Sequence, residues 1–272
     1  MRVLVVIALV VVVVWTSPLP APFADHCILD DNQNLYDPDN ADNVPWEIVN
    51  LDQAPRDRWT KIATTYKVQI KDLIDTIKGL VEPIVPNAAQ WIDLLFGSLD
   101  DKLPQPYNDE LKGIADATGI PLGEIVMYNI FYEIFTVCTS IVAQDPNGKL
   151  YHARNLDFGL FLGWDHITHN WAVSAKLRKM VININWMQGG RLLFKSNNFA
   201  GFVGLYNGLK PHAFTLTANE RFSAQGGYLG ILEWLVGEDP NGKWMTWHAR
   251  ETLENAKSYT EAYQLLSTQP IL

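Results

Sequence analysis

Cys138 stands where an apolar helical stretch gives way to β-branched residues, in the run Phe135-Thr136-Val137-Cys138-Thr139-Ser140-Ile141-Val142-Ala143, and His152, Arg154 and Asp157 follow across a turn. A cysteine at the start of a strand can present its sulfur at the rim of a sheet. A thiol gains nucleophilicity from a neighbouring base or from a cation that favours the thiolate, and Arg154 is such a cation. On residue types alone three readings stay open: a nucleophile, a small buried hydrophobe, and half of a disulfide with Cys27, the other of the two cysteines. A papain-like dyad of Cys138 with His152 lacks the local signature of such cysteines.

Other constellations are weaker. His166 and His169 form a pair with no third ligand at a metal-site spacing. Asp37, Asp39 and Asp42 hint at a calcium loop, but Ala41 replaces a ligand, Asp42 the required glycine and Ile48 the bidentate glutamate. A net charge of -9 gives no general attraction for phosphate backbones, and the densest basic group, Lys176, Arg178 and Lys179, reads as a solvated loop or strand end. No nucleic-acid partner is expected.

The elements that must position these groups can be read from the periodicity. Met1-Arg2 precedes an apolar run from Val3 to Trp15, and prolines and small residues follow. A spanning helix needs roughly 20 apolar residues and a signal-peptide core about 7–15, so the run reads as a signal peptide over residues 1–21. From Ala21 to about Pro55 the chain reads as an irregular polar arm. Apolar residues from Trp59 to Val81 recur at three- and four-residue steps and predict one long amphipathic helix. A second helical stretch is expected around Ala88–Leu99, then a helical hairpin with arms Asn108–Thr118 and Leu122–Phe135.

After residue 136 the period changes to that of strands. Thr136–Ala143 and Leu150–Arg154 flank Asp145-Pro146-Asn147-Gly148, a hairpin signal. Further strands are expected at Val181–Trp186, Arg191–Ser196, Gly201–Tyr206 and Ala213–Ala218, with a turn at Asn207-Gly208, and helices at Tyr228–Val236, Trp244–Asn255 and Tyr259–Leu266. Helices, then strands, then helices argue for an α+β fold without βαβ alternation.

The run Phe135–Ala143 and the block His152-Ala153-Arg154-Asn155-Leu156-Asp157-Phe158-Gly159 closely resemble the acid ceramidase family of lysosomal N-terminal-nucleophile amidases. So do Phe199-Ala200-Gly201-Phe202-Val203-Gly204, Asn219-Glu220-Arg221-Phe222-Ser223 and Gly226–Trp234, and the similarity runs from about Cys27 to the end. The related acid amidases of N-acylethanolamines share the cysteine and Arg-Asn-x-Asp blocks. Phe158–Trp164 and Gly226–Trp234 look more like the ceramidase branch.

The resemblance implies an αββα sandwich, here incomplete, and cleavage of the precursor immediately before Cys138. Residues 22–137 would then be an α-rich small subunit, and residues 138–272 part of the catalytic subunit. Cleavage frees an α-amine on the residue that carries the thiol, so base and nucleophile need no further orientation. An α-amine has a reference pKa of about 7.7–8, and a nearby cation such as Arg154 lowers it. By the same resemblance, Asp157 orients the amine or thiol, and Arg154 polarises the amide carbonyl or holds the thiolate. Glu220 matches a functional glutamate whose role is unassigned. The implied reaction takes ceramide to sphingosine and a fatty acid, without cofactor or metal. The implied partners are an N-acyl lipid, a lipid-membrane surface, an activator protein that presents lipid, and the second subunit cut from the same precursor. The apolar Phe158–Trp164 stretch is a candidate lipid contact.

The family's chain continues past the position of Leu272. The continuation supplies an Asn in an Asn-Tyr-Asp block, an Arg in an Asp-Asp-Arg-Arg block, and the cysteine expected to pair with Cys27. Little ceramide hydrolysis is therefore expected of the 272-residue form, with an N-acylethanolamine amidase and an inactive lipid-binding form as alternatives. The chain has no Asn-x-Ser/Thr acceptor, so sugar-dependent lysosomal delivery would need sites elsewhere.

Overall fold

The structure is a computed structural model that describes residues 44–81, 103–135, 137–157, 164–165, 170–219 and 242–271. The signal peptide, Cys27, the acidic loop at Asp37–Asp42, the Ala88–Leu99 and Tyr228–Val236 helices, the Phe158–Gly163 stretch, His166 and His169, and Glu220 lie outside them.

The apolar steps after Trp59 do form helix, as two pieces. α1 (Thr60–Thr65) and α2 (Lys67–Val81) meet at Tyr66, and Ile62, Ala63, Ile70, Leu73, Ile74 and Ile77 make one buried stripe across both. The expected helical hairpin is present as α3 (Tyr107–Thr118) and α4 (Leu122–Phe135). Gly119 ends α3 in the left-handed conformation at φ 68°, where a side chain would be strained. A 3-10 turn at Pro55–Asp57 lies so close to α3 that a Cβ on Gly113 would overlap the Arg56 carbonyl. Gly113→Ala should therefore cost about 1–3 kcal/mol, read as a lower midpoint in urea unfolding.

The strand region begins with the hairpin β2 (Val137–Gln144) and β3 (Leu150–Asp157). Its turn is closed by the Asp145 carboxylate, which accepts from the amides of Asn147 and Lys149, with Gly148 at φ 84°. A minimal pair, β4 (Trp164–Asp165) and β5 (Asn170–Trp171), precedes α5 (Ala172–Arg178). Then β6 (Val181–Gln188), β7 (Arg191–Phe199), β8 (Asn207–Lys210) and β9 (Phe214–Thr217) run antiparallel in order. α6 (Met245–Asn255) and α7 (Tyr259–Thr268) close the described chain.

Four expectations need correction. The segment read as an irregular arm contains β1 (Trp46–Asn50), an edge strand parallel to β6. It escapes periodicity because Val49 is its one fully buried residue. The basic group at Lys176–Lys179 ends a helix, α5, and the Lys176 ammonium bonds the Asp72 carboxylate of α2 at 2.7 Å. Gly201–Tyr206 is a loop, not a strand. Its backbone turns at Gly201 with φ 80°, the Val203 amide donates to the Asn129 side chain, and the Leu205 amide donates to the Thr246 carbonyl of a later helix. Asn207-Gly208 starts β8 instead of forming the turn, which sits at Pro211–Ala213 with His212 at φ 60°.

Register assigns each side of the five-stranded sheet. Val49, Trp186 and Phe194 align on one face, as do Ile184 and Ser196, and all are buried against the helices in a core shared with Trp59, Ile62, Trp247 and Leu253. The other face carries Asn185, Lys195, Leu209 and Thr215 in one row and Asn183, Asn197, Asn207 and Thr217 in the next. The hairpin lies on this polar face, because both ring nitrogens of His152 contact hydroxyls there, Thr215 at 2.7 Å and Thr217 at 2.9 Å. The fold is α+β as expected, and helices, sheet and hairpin are three successive layers of the αββα arrangement.

Candidate active site

Alternation along the hairpin decides which side chains meet the sheet. Cys138 is opposite Leu156, Ser140 opposite Arg154 and Val142 opposite His152, so these residues share one face. Toward the turn both faces are exposed, with Ile141 at 58% and Tyr151 at 49% on one and Val142 at 68% on the other. The inward face is anchored at three points: His152 on the two threonines, Arg154 on the Ala218 carbonyl, and the Ser140 hydroxyl on the Asn219 side-chain oxygen at 2.8 Å. β9 and the two residues after it thus form the floor beneath the hairpin.

Arg154 is fixed from three directions. Its Nε donates to the Ala218 carbonyl at 2.9 Å, its Nη2 donates to Cys138 Sγ at 2.7 Å, and its guanidinium carbon lies 4.8 Å from the ring centroid of Tyr206. A guanidinium on an aromatic face keeps its charge while one edge stays free to donate. Cys138 is partly buried and free of any disulfide. Arg154 also walls a groove of about 370 Å³ between the hairpin and the polar sheet face, together with His152, Lys195, Asn197, Thr215 and Thr217.

The arrangement can hold a sulfur anion or an oxyanion against a fixed cation that also lines a polar groove. Of the residues singled out in the sequence, Cys138 and Arg154 are brought into direct contact. The backbone of Asp157 ends β3 opposite Val137, so it neighbours the Val137–Cys138 bond across the ladder; its side chain lies outside what the structure describes. Glu220 lies outside as well. His152 does not act as a dyad partner to the sulfur here, because both ring nitrogens are engaged by threonines. Among the described residues no group of three or more His, Cys, Asp or Glu could hold a metal ion.

Sequence reasoning missed Tyr206 and Ala218. Tyr206 lay in a stretch expected to be a strand, and nothing in its spacing marks a ring beneath an arginine. Ala218 acts through its carbonyl, which residue identity does not reveal.

Two family models match separate stretches of the chain. Residues 138–272 match the linear amide C–N hydrolases of the choloylglycine hydrolase family, and residues 42–103 match the beta subunit of N-acylethanolamine-hydrolyzing acid amidase. The site thus falls in a segment that matches a class of linear amide hydrolases. The chain belongs to the acid ceramidase family. It is 40% identical to acid ceramidase of Homo sapiens over 271 residues, covering 98% of this chain and 68% of that protein. It is 44% identical to the Rattus norvegicus protein over 230 residues, covering 84% of this chain and 58% of its length. A solved N-acylethanolamine-hydrolyzing acid amidase ortholog from Caenorhabditis elegans overlaps with a TM-score of 0.35 at 25% identity, covering 47% of this chain and 48% of its own.

Proposed function

We propose that this chain is the part of a ceramide amidase that carries the nucleophile, and that Cys138 becomes an N-terminal residue by cleavage of the Val137–Cys138 bond. The observation that carries this reading is the hydrogen bond of 2.7 Å from the Arg154 guanidinium to Cys138 Sγ, at the first residue of the segment that matches linear amide hydrolases.

In the proposed reaction the Cys138 α-amine takes the thiol proton as the sulfur attacks the amide carbonyl, and the carbonyl π electrons move to oxygen. Arg154 is placed to stabilise the anion before attack or the oxyanion after it. Collapse expels the sphingosine nitrogen, which takes a proton from the Cys138 α-ammonium, and leaves a thioester on Cys138. Water then attacks the thioester, releases the fatty acid and restores the thiol. Asp157 and Glu220 are proposed members of the same centre, Asp157 to orient the amine. The proposed setting is the lysosome, reached through the secretory pathway, with substrate drawn from a lipid surface or an activator protein.

A second reading has an observation in its favour. The match of residues 42–103 to an N-acylethanolamine amidase subunit points to substrates with a smaller amine. Both lipids should be offered at acidic pH to a form of the chain carried to the length of its relatives, with fatty acid release measured. Ceramide turning over at least about tenfold faster by kcat/KM is the expected result, equal to about 1.4 kcal/mol of discrimination in the transition state. Preference for the N-acylethanolamine would assign the chain to the other amidase.

A further inference from the structure

We propose that Asn129 is a positioning residue, which sets Arg154 against Cys138 through the buried loop Ala200–Tyr206. The proposal rests on the reading of Cys138 as the reactive thiol.

Asn129 is 1% exposed on α4, the helix that leads into Val137 and Cys138. Its Nδ2 donates to the Gly201 carbonyl at 3.1 Å, and its Oδ1 accepts from the Val203 amide at 2.8 Å. Among the twenty side chains an amide is suited to this pair of bonds, because it donates and accepts from one planar group. Tyr128 adds a bond from its hydroxyl to the Ala200 carbonyl at 3.0 Å. Every residue from Ala200 to Tyr206 is buried, so displacement of this backbone meets packed neighbours rather than water.

The far end of the loop is the support of the site. The Tyr206 ring lies under the Arg154 guanidinium, and the Tyr206 carbonyl accepts from the Ala218 amide at 2.7 Å. Ala218 returns the connection, since its own carbonyl accepts from Arg154 Nε. Both supports of the guanidinium other than the sulfur are therefore tied to a loop that Asn129 holds. Asn129 touches neither Arg154 nor Cys138 in any of these bonds; it acts on them through backbone.

Spatial continuity alone is not coupling, so the test is a double-mutant cycle. Alkylation of Cys138 by iodoacetamide, followed by peptide mass mapping, is measured across pH for wild type, Asn129→Ala, Arg154→Gln and the double variant. This readout needs no lipid turnover. Asn129→Ala should slow alkylation about tenfold and move the pH profile onto that of Arg154→Gln, with the double variant no slower than Arg154→Gln alone. A merely structural role would lower thermal stability and leave the profile in place. An Asn129→Ala profile that coincides with wild type, or additive losses in the double variant, overturns the proposal. Should Asn129→Ala fail to fold, Tyr206→Leu at the other end of the loop takes its place, with the same expected profile and the same outcome against it. If Arg154→Gln itself matches wild type, the reading of the site falls and this proposal with it, which separates the two failures.

Discussion

In the chain carried to the length of its relatives, Cys138→Ala should leave the precursor as one chain on a reducing, denaturing gel and lower amide turnover by at least about a thousandfold, while the parent should run as two fragments that join at residue 137. The size follows from the role. A nucleophile that also carries the base on its own α-amine cannot be replaced by a neighbouring group, and removal of such a residue elsewhere costs far more than removal of a binding contact. The fold should not suffer, since Cys138 is partly buried, forms no disulfide, and gives up one hydrogen bond from an arginine with two other supports. A melting temperature within a few degrees of the parent would separate lost chemistry from lost structure. Equal cleavage of the alanine variant would sink the idea of self-processing, and would leave an external protease as the agent.

The order of elements suits the cleavage proposed before this cysteine. α4 delivers the chain to the first residues of β2, and the ladder fixes Val137 opposite Asp157 and Cys138 opposite Leu156. The proposed scissile bond joins the first two residues of β2, and hairpin pairing holds both of them. Arg154, diagonal to Cys138 across that pairing, reaches the sulfur without leaving the hairpin.

Local signals recovered most of this. The α3–α4 hairpin followed from two apolar stripes around a glycine, and the β2–β3 hairpin from alternation around Asp145-Pro146-Asn147-Gly148, because each element buries one face and turns on residues suited to turning. What failed was non-local. β1 is a strand only because β6 offers it an edge more than a hundred residues later in the chain. The loop Gly201–Tyr206 has the apolar content of a strand, yet both of its sides are buried and its hydrogen bonds go to Asn129, Arg250 and Thr246 from other elements. Cys138 and Arg154 were legible as a pair through hairpin arithmetic. Tyr206, which supports the arginine from a distant segment, had no such arithmetic.

Glu110→Gln should lower stability by about 3–5 kcal/mol, because it breaks a fully buried ion pair from one side and leaves Arg250 with the partly exposed Glu254, 2.7 Å from its Nε, as its remaining carboxylate. Glu110 lies at 0% exposure, bound by both Nη atoms of Arg250, by Arg58 at 2.9 Å and by the Trp59 indole at 2.8 Å. Arg250 is equally buried, with its guanidinium 4.6 Å from the Trp186 ring and 5.1 Å from the Tyr107 ring. Burial by itself would raise the Glu110 carboxyl, but the Arg250 charge and the bonds from Arg250, Arg58 and Trp59 outweigh it, and the group is held below its ordinary value of 4.5. The sign of the pH dependence follows. A depressed carboxylate contributes its full stability above the unfolded value and loses it only as pH falls through the lower folded value. The gap between wild type and Glu110→Gln in urea unfolding should therefore stay constant from neutral pH to about 5 and narrow below 4.5. The pair joins α3, before the proposed cut, to α6, after it. Mild acid should thus leave the two pieces locked together, and a gap that already closes above pH 5 would show that Glu110 is not the group that holds them.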